Sequence, residues 1–207
     1  MNVLIVEDHP LFIIGTTLTI RDISPEAIIS TATTFPDALI LLEKDKFDIV
    51  ILDIDLPGGE NLKMMDMIRK IAPQVSILIH SAFDEHLYAM PYLQAGADGF
   101  VSKKATPDEF KNAVNTIMNG KKYLSYEIQQ TLLTNIGEPK PTSQLTPSEL
   151  QVMQLLIEGK WTKEIAHLLN LKQNTISTYK RRIFDKLNVR DSIELAKKMS
   201  LSTKSHH

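Results

Sequence analysis

The stretch Ile49-Val50-Ile51-Leu52-Asp53-Ile54-Asp55 decides how this chain folds. Four apolar residues in a row, rich in β-branched side chains and too short for a helix, read as a strand buried on both faces. A carboxylate, Asp53, stands at its end. The same grammar recurs three more times. Val3-Leu4-Ile5-Val6 leads into Glu7-Asp8, Val75-Ser76-Ile77-Leu78-Ile79-His80 into Ser81, and Gly99-Phe100-Val101-Ser102 into Lys103. Ala27–Thr33 supplies a fifth run, the second in chain order. Helical patterns near 10–22, 35–45, 60–72, 84–95 and 106–120 separate the runs. Strict β-α alternation predicts an α/β fold, a doubly wound five-stranded parallel sheet with right-handed crossovers. Parallel strands all end at one edge, and open α/β sheets hold their ligands there. Glu7, Asp8, Asp53, Ser81 and Lys103 are therefore expected to converge.

A length of 207 residues allows two modest domains, each with its own core. At 43% hydrophobic and 23% charged, the composition is that of an ordinary globular protein. No apolar stretch approaches the roughly 20 residues that cross a bilayer, so no membrane partner is expected. Met1-Asn2-Val3-Leu4 enters a strand without a basic leader or cleavage site, and cysteine is absent. The second fact excludes a disulfide framework and a thiolate metal site; together they fit a cytoplasmic location. Net charge is −2, but it is unevenly spread. Residues 1–120 hold 9 Lys and Arg against 17 Asp and Glu, a net −8. Residues 121–207 hold 14 against 8, a net +6. An acidic half repels nucleic acid and a basic half attracts it.

The second half changes character. After a short helix over 123–135, Gly137-Glu138-Pro139-Lys140-Pro141-Thr142-Ser143-Gln144 breaks the periodicity and reads as a linker. Thr146-Pro147-Ser148-Glu149 then opens an all-helical unit with a capping box, as Thr106-Pro107-Asp108-Glu109 opens the last helix of the first half. Helices are expected at 147–158, 162–169, 173–187 and 191–200. The domains are read as 1–122, a helix and linker over 123–144, and 145–203. Helices 162–169 and 173–187, joined through Asn170-Leu171-Lys172, form a helix-turn-helix pattern. Ile176, Tyr179, Ile183 and Leu187 make the core stripe of the second of these. Its remaining surface carries Ser177, Thr178, Lys180, Arg181, Arg182 and Lys186, opposed by Asp185. Small polar residues suit base edges in a major groove, and basic ones suit phosphates or guanine. The bland alternative is a solvated charged face.

The carboxylates at the sheet edge make chemical sense around a hard divalent cation such as Mg²⁺, which accepts few carboxylates together with phosphate oxygens. Without a cation they would repel one another and raise each other's pKa. A lysine neutralises a phosphoryl group as a point charge, and a serine hydroxyl donates to one of its oxygens. The set reads as a phosphoryl-transfer site. Asp55 is a rival nucleophile, disfavoured because it lies beyond the strand end; Lys104 is the corresponding rival to Lys103. His9 is set aside as a metal ligand, and His80 is expected in or near the core. Three function classes fit these residues: a phosphorylation-activated DNA-binding regulator, a regulator whose first domain only binds protein, and a Mg²⁺-dependent phosphohydrolase using Asp53 and Asp55.

Residues 1–120 resemble the receiver domain of two-component response regulators, a flavodoxin-like fold. The strings that carry the resemblance are Val6-Glu7-Asp8-His9-Pro10, Leu52-Asp53-Ile54-Asp55-Leu56-Pro57-Gly58 and Gly96-Ala97-Asp98-Gly99-Phe100-Val101-Ser102-Lys103-Lys104. The resemblance implies that Asp53 accepts phosphate from a sensor histidine kinase. It implies that Asp8, Asp53 and the backbone carbonyl of Asp55 hold Mg²⁺ with Glu7 assisting, that Ser81 and Phe100 are switch residues, and that Lys103 is the family's lysine. From Leu145-Thr146-Pro147-Ser148-Glu149 to Lys186-Leu187-Asn188-Val189 the chain is similar to the LuxR-type DNA-binding domain. The whole resembles the NarL/FixJ family, and Ser177-Thr178-Tyr179-Lys180 is similar to its BvgA/EvgA-like branch. That likeness implies double-stranded DNA as partner, base contacts by Ser177, Thr178 and Arg181, phosphate contacts by Lys180, Arg182 and Lys163, and a homodimer on activation. The last helix, with Ile193, Leu195 and Ala196, is expected to pair two such units. Trp161 and Lys172 stand where capping residues are usual; Trp161 is expected to pack as an anchor.

Overall fold

The structure, a computed structural model, describes residues 1–60, 62–134, 145–169 and 171–204. They fall into two compact units that divide between Ile136 and Gly137. The sequence-predicted linker over 137–144, and Asn170 in the helix-turn-helix connection, lie outside the described residues.

In the first unit five strands, β1 (Asn2–Val6), β2 (Ile28–Ala32), β3 (Ile49–Leu52), β4 (Ser76–Ser81) and β5 (Gly99–Ser102), form one parallel sheet in the order β2-β1-β3-β4-β5. The order reverses direction between β1 and β3, which is where such sheets open a crevice at their carboxyl edge. Every residue of β3 is buried, as are Val3–Val6 of β1 and Ile77–Ile79 of β4. Strand β2 lies at the edge and exposes Ile28, so its apolar run is less complete. Helices α1 (Pro10–Ile23) and α5 (Pro107–Met118) cover one face, where Ile20, Phe110, Ala113, Val114 and Ile117 pack on Val3, Ile5, Ile49, Ile51 and Val101. Helices α2 (Phe35–Lys44), α3 (Lys63–Ile71) and α4 (Glu85–Gln94) bury Phe35, Leu42, Met64, Ile68, Tyr88 and Tyr92. Each such side chain stabilises the fold by about 1.5–3 kcal/mol of burial.

Helix α3 starts three residues later than the sequence suggests, and α6 spans Tyr126–Thr134, not the whole of 123–135. Tyr123 instead continues the sheet: it bridges Gly99 in parallel, and its N–H donates to Asp98 O at 2.8 Å. A Cβ on Gly99 would meet Ile117 at 2.8 Å and Tyr123 at 3.0 Å, so only glycine lets the chain return this closely. The α5 capping box forms in both halves, Thr106 N to Glu109 Oε2 at 2.7 Å and Glu109 N to Thr106 Oγ1 at 3.3 Å.

The second unit consists of α7 (Pro147–Ile157), α8 (Thr162–Leu168), α9 (Gln173–Leu187) and α10 (Ser192–Lys204). Leu150, Met153, Leu156, Ile165, Ile176, Ile183, Leu187 and Leu195 form its core. Thr146 and Glu149 close the second capping box, and Asn188 ends α9 in the left-handed region at φ 50°, a conformation asparagine tolerates. Two expectations fail here. Trp161 is 78% exposed and anchors nothing; it stands at the N-cap of α8, where the Glu164 carboxylate accepts its N–H at 2.6 Å. An indole has no acceptor to offer the helix, so the cap is carried by Glu164 alone. Leu195, expected on the pairing surface, is wholly buried in the unit's own core, while Ile193 is 68% exposed.

Candidate functional site

Register assembles the pocket. Val6 pairs with Leu52 across β1 and β3, and Ser81 with Ser102 across β4 and β5. The next residues therefore emerge side by side. Asp53 N donates to Val6 O at 2.9 Å, and Lys103 N to Ser81 O at 2.8 Å. Ser81 is the last residue of β4 and not the first beyond it.

Lys103 is the hub. Its side chain is 4% exposed, and its ammonium lies 2.6 Å from Glu7 Oε2 and 2.7 Å from Asp53 Oδ2. Burial pulls its pKa down, but the hydrogen bonds and charges of Asp53 and Glu7 outweigh that and raise it. Asp53 is buried, and its Oδ1 accepts from Ile54 N at 2.7 Å and Asp55 N at 3.3 Å. Glu7, also buried, accepts the His9 N–H at 3.0 Å on its other oxygen. Asp8 differs. Among the described residues its buried Oδ1 accepts no hydrogen bond, although His9 Nδ1 lies 2.7 Å away.

Glu7, Asp8, His9 and Asp53 each offer one ligand atom, and these lie within 4.8 Å of one another. His9, set aside on sequence grounds, thus joins the cluster. The Asp8 charge leads in raising its pKa, with Glu7 adding to it against the effect of burial. The carboxylates of Glu7, Asp8 and Asp53, gathered within 4.8 Å, suit a hard cation.

Asp55 lies beyond the strand at the mouth of the pocket; partial desolvation there leads in raising its pKa, followed by the Asp53 and Asp8 charges. Lys104 is exposed. The Ser81 hydroxyl, buried, accepts from Phe83 N at 3.3 Å. Phe100 is wholly buried in β5 beside Ile79. His80 stacks edge-on against Phe110 at 5.0 Å, and burial, assisted by Lys103 and opposed by Asp53, lowers its pKa to about 4.

Two neighbours of the pocket escaped the sequence reading. Phe12, in α1, places its ring 4.4 Å from the Lys103 ammonium. It stands in the first turn of α1, three residues after the N-cap His9. Tyr92 of α4 is wholly buried, and among the described residues its hydroxyl has no hydrogen-bond partner. Burial, then the Asp53 and Asp55 charges, push its pKa up. An aromatic on a helix four residues from another aromatic reads as core, which hid it.

The second unit presents α9. Ser177, Thr178, Arg181 and Arg182 are exposed, and the Arg181 side chain is 87% so. Ser177 Oγ and Thr178 Oγ1 donate to Gln173 O at 3.0 Å and Asn174 O at 2.9 Å. Each hydroxyl keeps lone pairs outward and acts there as an acceptor. Lys180 lies 5.5 Å over the Phe184 ring. Lys163 of α8 lines a groove with His167, Leu171, Lys172, Gln173 and Asn174. Lys186, counted among the outward charges, turns instead to buried Glu149 at 2.7 Å.

A carboxylate–lysine pocket at the switch point of a parallel sheet, followed by a helical unit with an exposed basic helix, defines a two-part signalling protein. The chain belongs to the response regulators of the NarL/FixJ family. Residues 3–115 match the response regulator receiver domain, and residues 143–202 match the bacterial regulatory proteins of the luxR family. The response regulator UvrY of Escherichia coli K12 is 31% identical over 199 residues, covering 94% of this chain and 91% of UvrY. The DNA-binding transcriptional activator EvgA of the same strain is 32% identical, with 94% and 95% covered. RcsB of Salmonella enterica serovar Typhimurium, solved on a promoter with the phosphomimetic BeF3−, is 26% identical at TM-score 0.62, with 97% and 98% covered. Among the described residues no helix is long and apolar enough to cross a membrane.

Proposed function

We propose that this chain is a transcriptional regulator switched by phosphorylation of Asp53 by a sensor histidine kinase. The observation that carries the reading is the Lys103 ammonium bound at once to Glu7 and Asp53 in a buried pocket. The Asp53 carboxylate attacks the phosphorus of the kinase's phosphohistidine; an acyl–oxygen–phosphorus bond forms as the nitrogen–phosphorus bond breaks, and the imidazole leaves neutral because its other ring nitrogen carries a proton. Lys103 neutralises charge on the incoming group, and the Ser81 hydroxyl, released from Phe83 N, donates to one of its oxygens. Asp8, Asp53 and the Asp55 carbonyl, with Glu7 assisting, would hold Mg²⁺, which supplies positive charge against the phosphoryl oxygens. Phe100 follows Ser81 as the second switch residue.

Downstream, a dimer sets two α9 helices on two half-sites of double-stranded DNA. Ser177, Thr178 and Arg181 meet base edges; Lys180, Arg182 and Lys163 meet phosphates. The locally donated hydroxyls suit Ser177 and Thr178 to accept from exocyclic amino groups of adenine or cytosine. The protein works in the cytoplasm, where kinase and DNA are both at hand.

The test is acetyl-phosphate labelling of the full chain with Mg²⁺. Wild type is expected to incorporate one phosphoryl group and Asp53→Asn none. Labelling that persists in Asp53→Asn moves the nucleophile elsewhere, with Asp55 the first to try.

A further inference from the structure

Lys103 carries three N–H donors and no acceptor. Two of its directions are spent on Glu7 and Asp53. Over the ring of Phe12 the ammonium stands 4.4 Å from the centroid, where the negative face of a ring attracts a cation. The ring is fixed edge-on from two sides, by His9 at 6.2 Å and 81° and by His80 at 6.3 Å and 89°. Phe12 itself is 37% exposed while the Lys103 side chain beneath it is 4% exposed. The ring is thus the screen between that ammonium and water.

We propose that Phe12 is a positioning residue for Lys103: its face takes the third side of the ammonium, keeps water from it and holds the charge against Asp53. The role rests on the reading of Asp53 as phosphoacceptor. A lysine without this neighbour would face water on that side, and a hydrated ammonium is freer to swing off the carboxylate. Electrostatic assistance to an arriving phosphoryl group needs the charge already in place, because reorganising it during the reaction raises the barrier. A leucine keeps the apolar cover and loses the quadrupole. Tyrosine keeps both.

Labelling by acetyl phosphate exchanges one acyl phosphate for another, with acetate leaving and no redox change. Full-length wild type, Phe12→Leu and Phe12→Tyr are compared by labelling rate and by the beryllium trifluoride concentration that half-saturates Asp53. The same substitutions are repeated in Lys103→Gln. Phe12→Leu is expected to label roughly tenfold more slowly and to need correspondingly more beryllium trifluoride, the scale of a desolvated cation–π contact. Phe12→Tyr is expected to return both readouts to within about twofold of wild type on the same basis. In Lys103→Gln, Phe12→Leu is expected to change neither, since its partner is gone.

A wild-type rate in Phe12→Leu overturns the proposal, as does equal behaviour of the leucine and tyrosine variants. So does a loss of the same size in the Lys103→Gln background, which would make Phe12 a packing residue. Should Phe12→Leu not fold, Phe12→Met provides the same comparison. Failure of the wild type to label at all sinks the phosphoacceptor reading instead, and the two failures are thereby distinct.

Discussion

At the residue scale the pocket is a balance of neighbours, and His80 shows how far one of them is pushed. It sits at the end of β4, edge-on to Phe110, and its folded pKa of about 4 lies below the ordinary 6.5. Burial leads, because a charged imidazole is poorly solvated there, and the Lys103 charge adds to it while Asp53 opposes it. The unfolded chain therefore binds the extra proton between pH 6.5 and 4. Stability from this residue is complete above pH 6.5 and is lost as pH falls toward 4, by about 2 kcal/mol at pH 5. Urea midpoints of wild type and His80→Phe at pH 7.5 and pH 5 test this, phenylalanine having no proton to bind. Wild type is expected to lose the larger share between the two conditions. Equal losses would assign the acid sensitivity to the carboxylates of the pocket.

At the element scale the strands were legible because apolar runs buried on both faces have no other soluble use. Their carboxyl ends were legible for the same reason: register in a parallel sheet brings Glu7, Asp53, Ser81 and Lys103 to one edge. Both capping boxes could be read from spacing alone, and both formed. Elements set by tertiary contact were harder. Nothing in Tyr123 announces that it pairs with Gly99, and nothing in Trp161 announces that it stays in water. Helix α6 belongs with these. At its start the Ser125 hydroxyl accepts from Ile128 N at 3.3 Å. His86 and Glu127 approach to 3.7 Å beside them. Ser125→Ala removes this helix cap. Amide exchange at Ile128 and Gln129 is expected to speed roughly tenfold, equivalent to about 1–2 kcal/mol of local stability. Unchanged protection there, with the rest of α6 also unmoved, would mean that the Ser125 cap does not hold the helix.

At the scale of the whole molecule the charge division fixes what activation must accomplish. The first 120 residues carry a net −8 and the remainder +6, so a single copy brings its own repulsion to DNA along with its attraction. Phosphorylation adds negative charge to the acidic half and cannot improve DNA affinity by direct electrostatics. Its benefit must come from geometry. A second copy converts the second half-site contact into an intramolecular event, and affinity rises by effective concentration without new contacts to DNA. The prediction separates one half-site from two. On DNA with a single half-site, beryllium trifluoride is expected to change affinity little. On DNA with two half-sites about one helical turn apart, it is expected to raise affinity on the order of a hundredfold, the range that linked binding reaches. Fluorescence anisotropy with both DNAs at one fixed salt concentration measures the two gains, since backbone contacts make each affinity salt-dependent. Equal gains on both DNAs would place the switch inside one copy, in the freeing of α9, and not in the pairing of two.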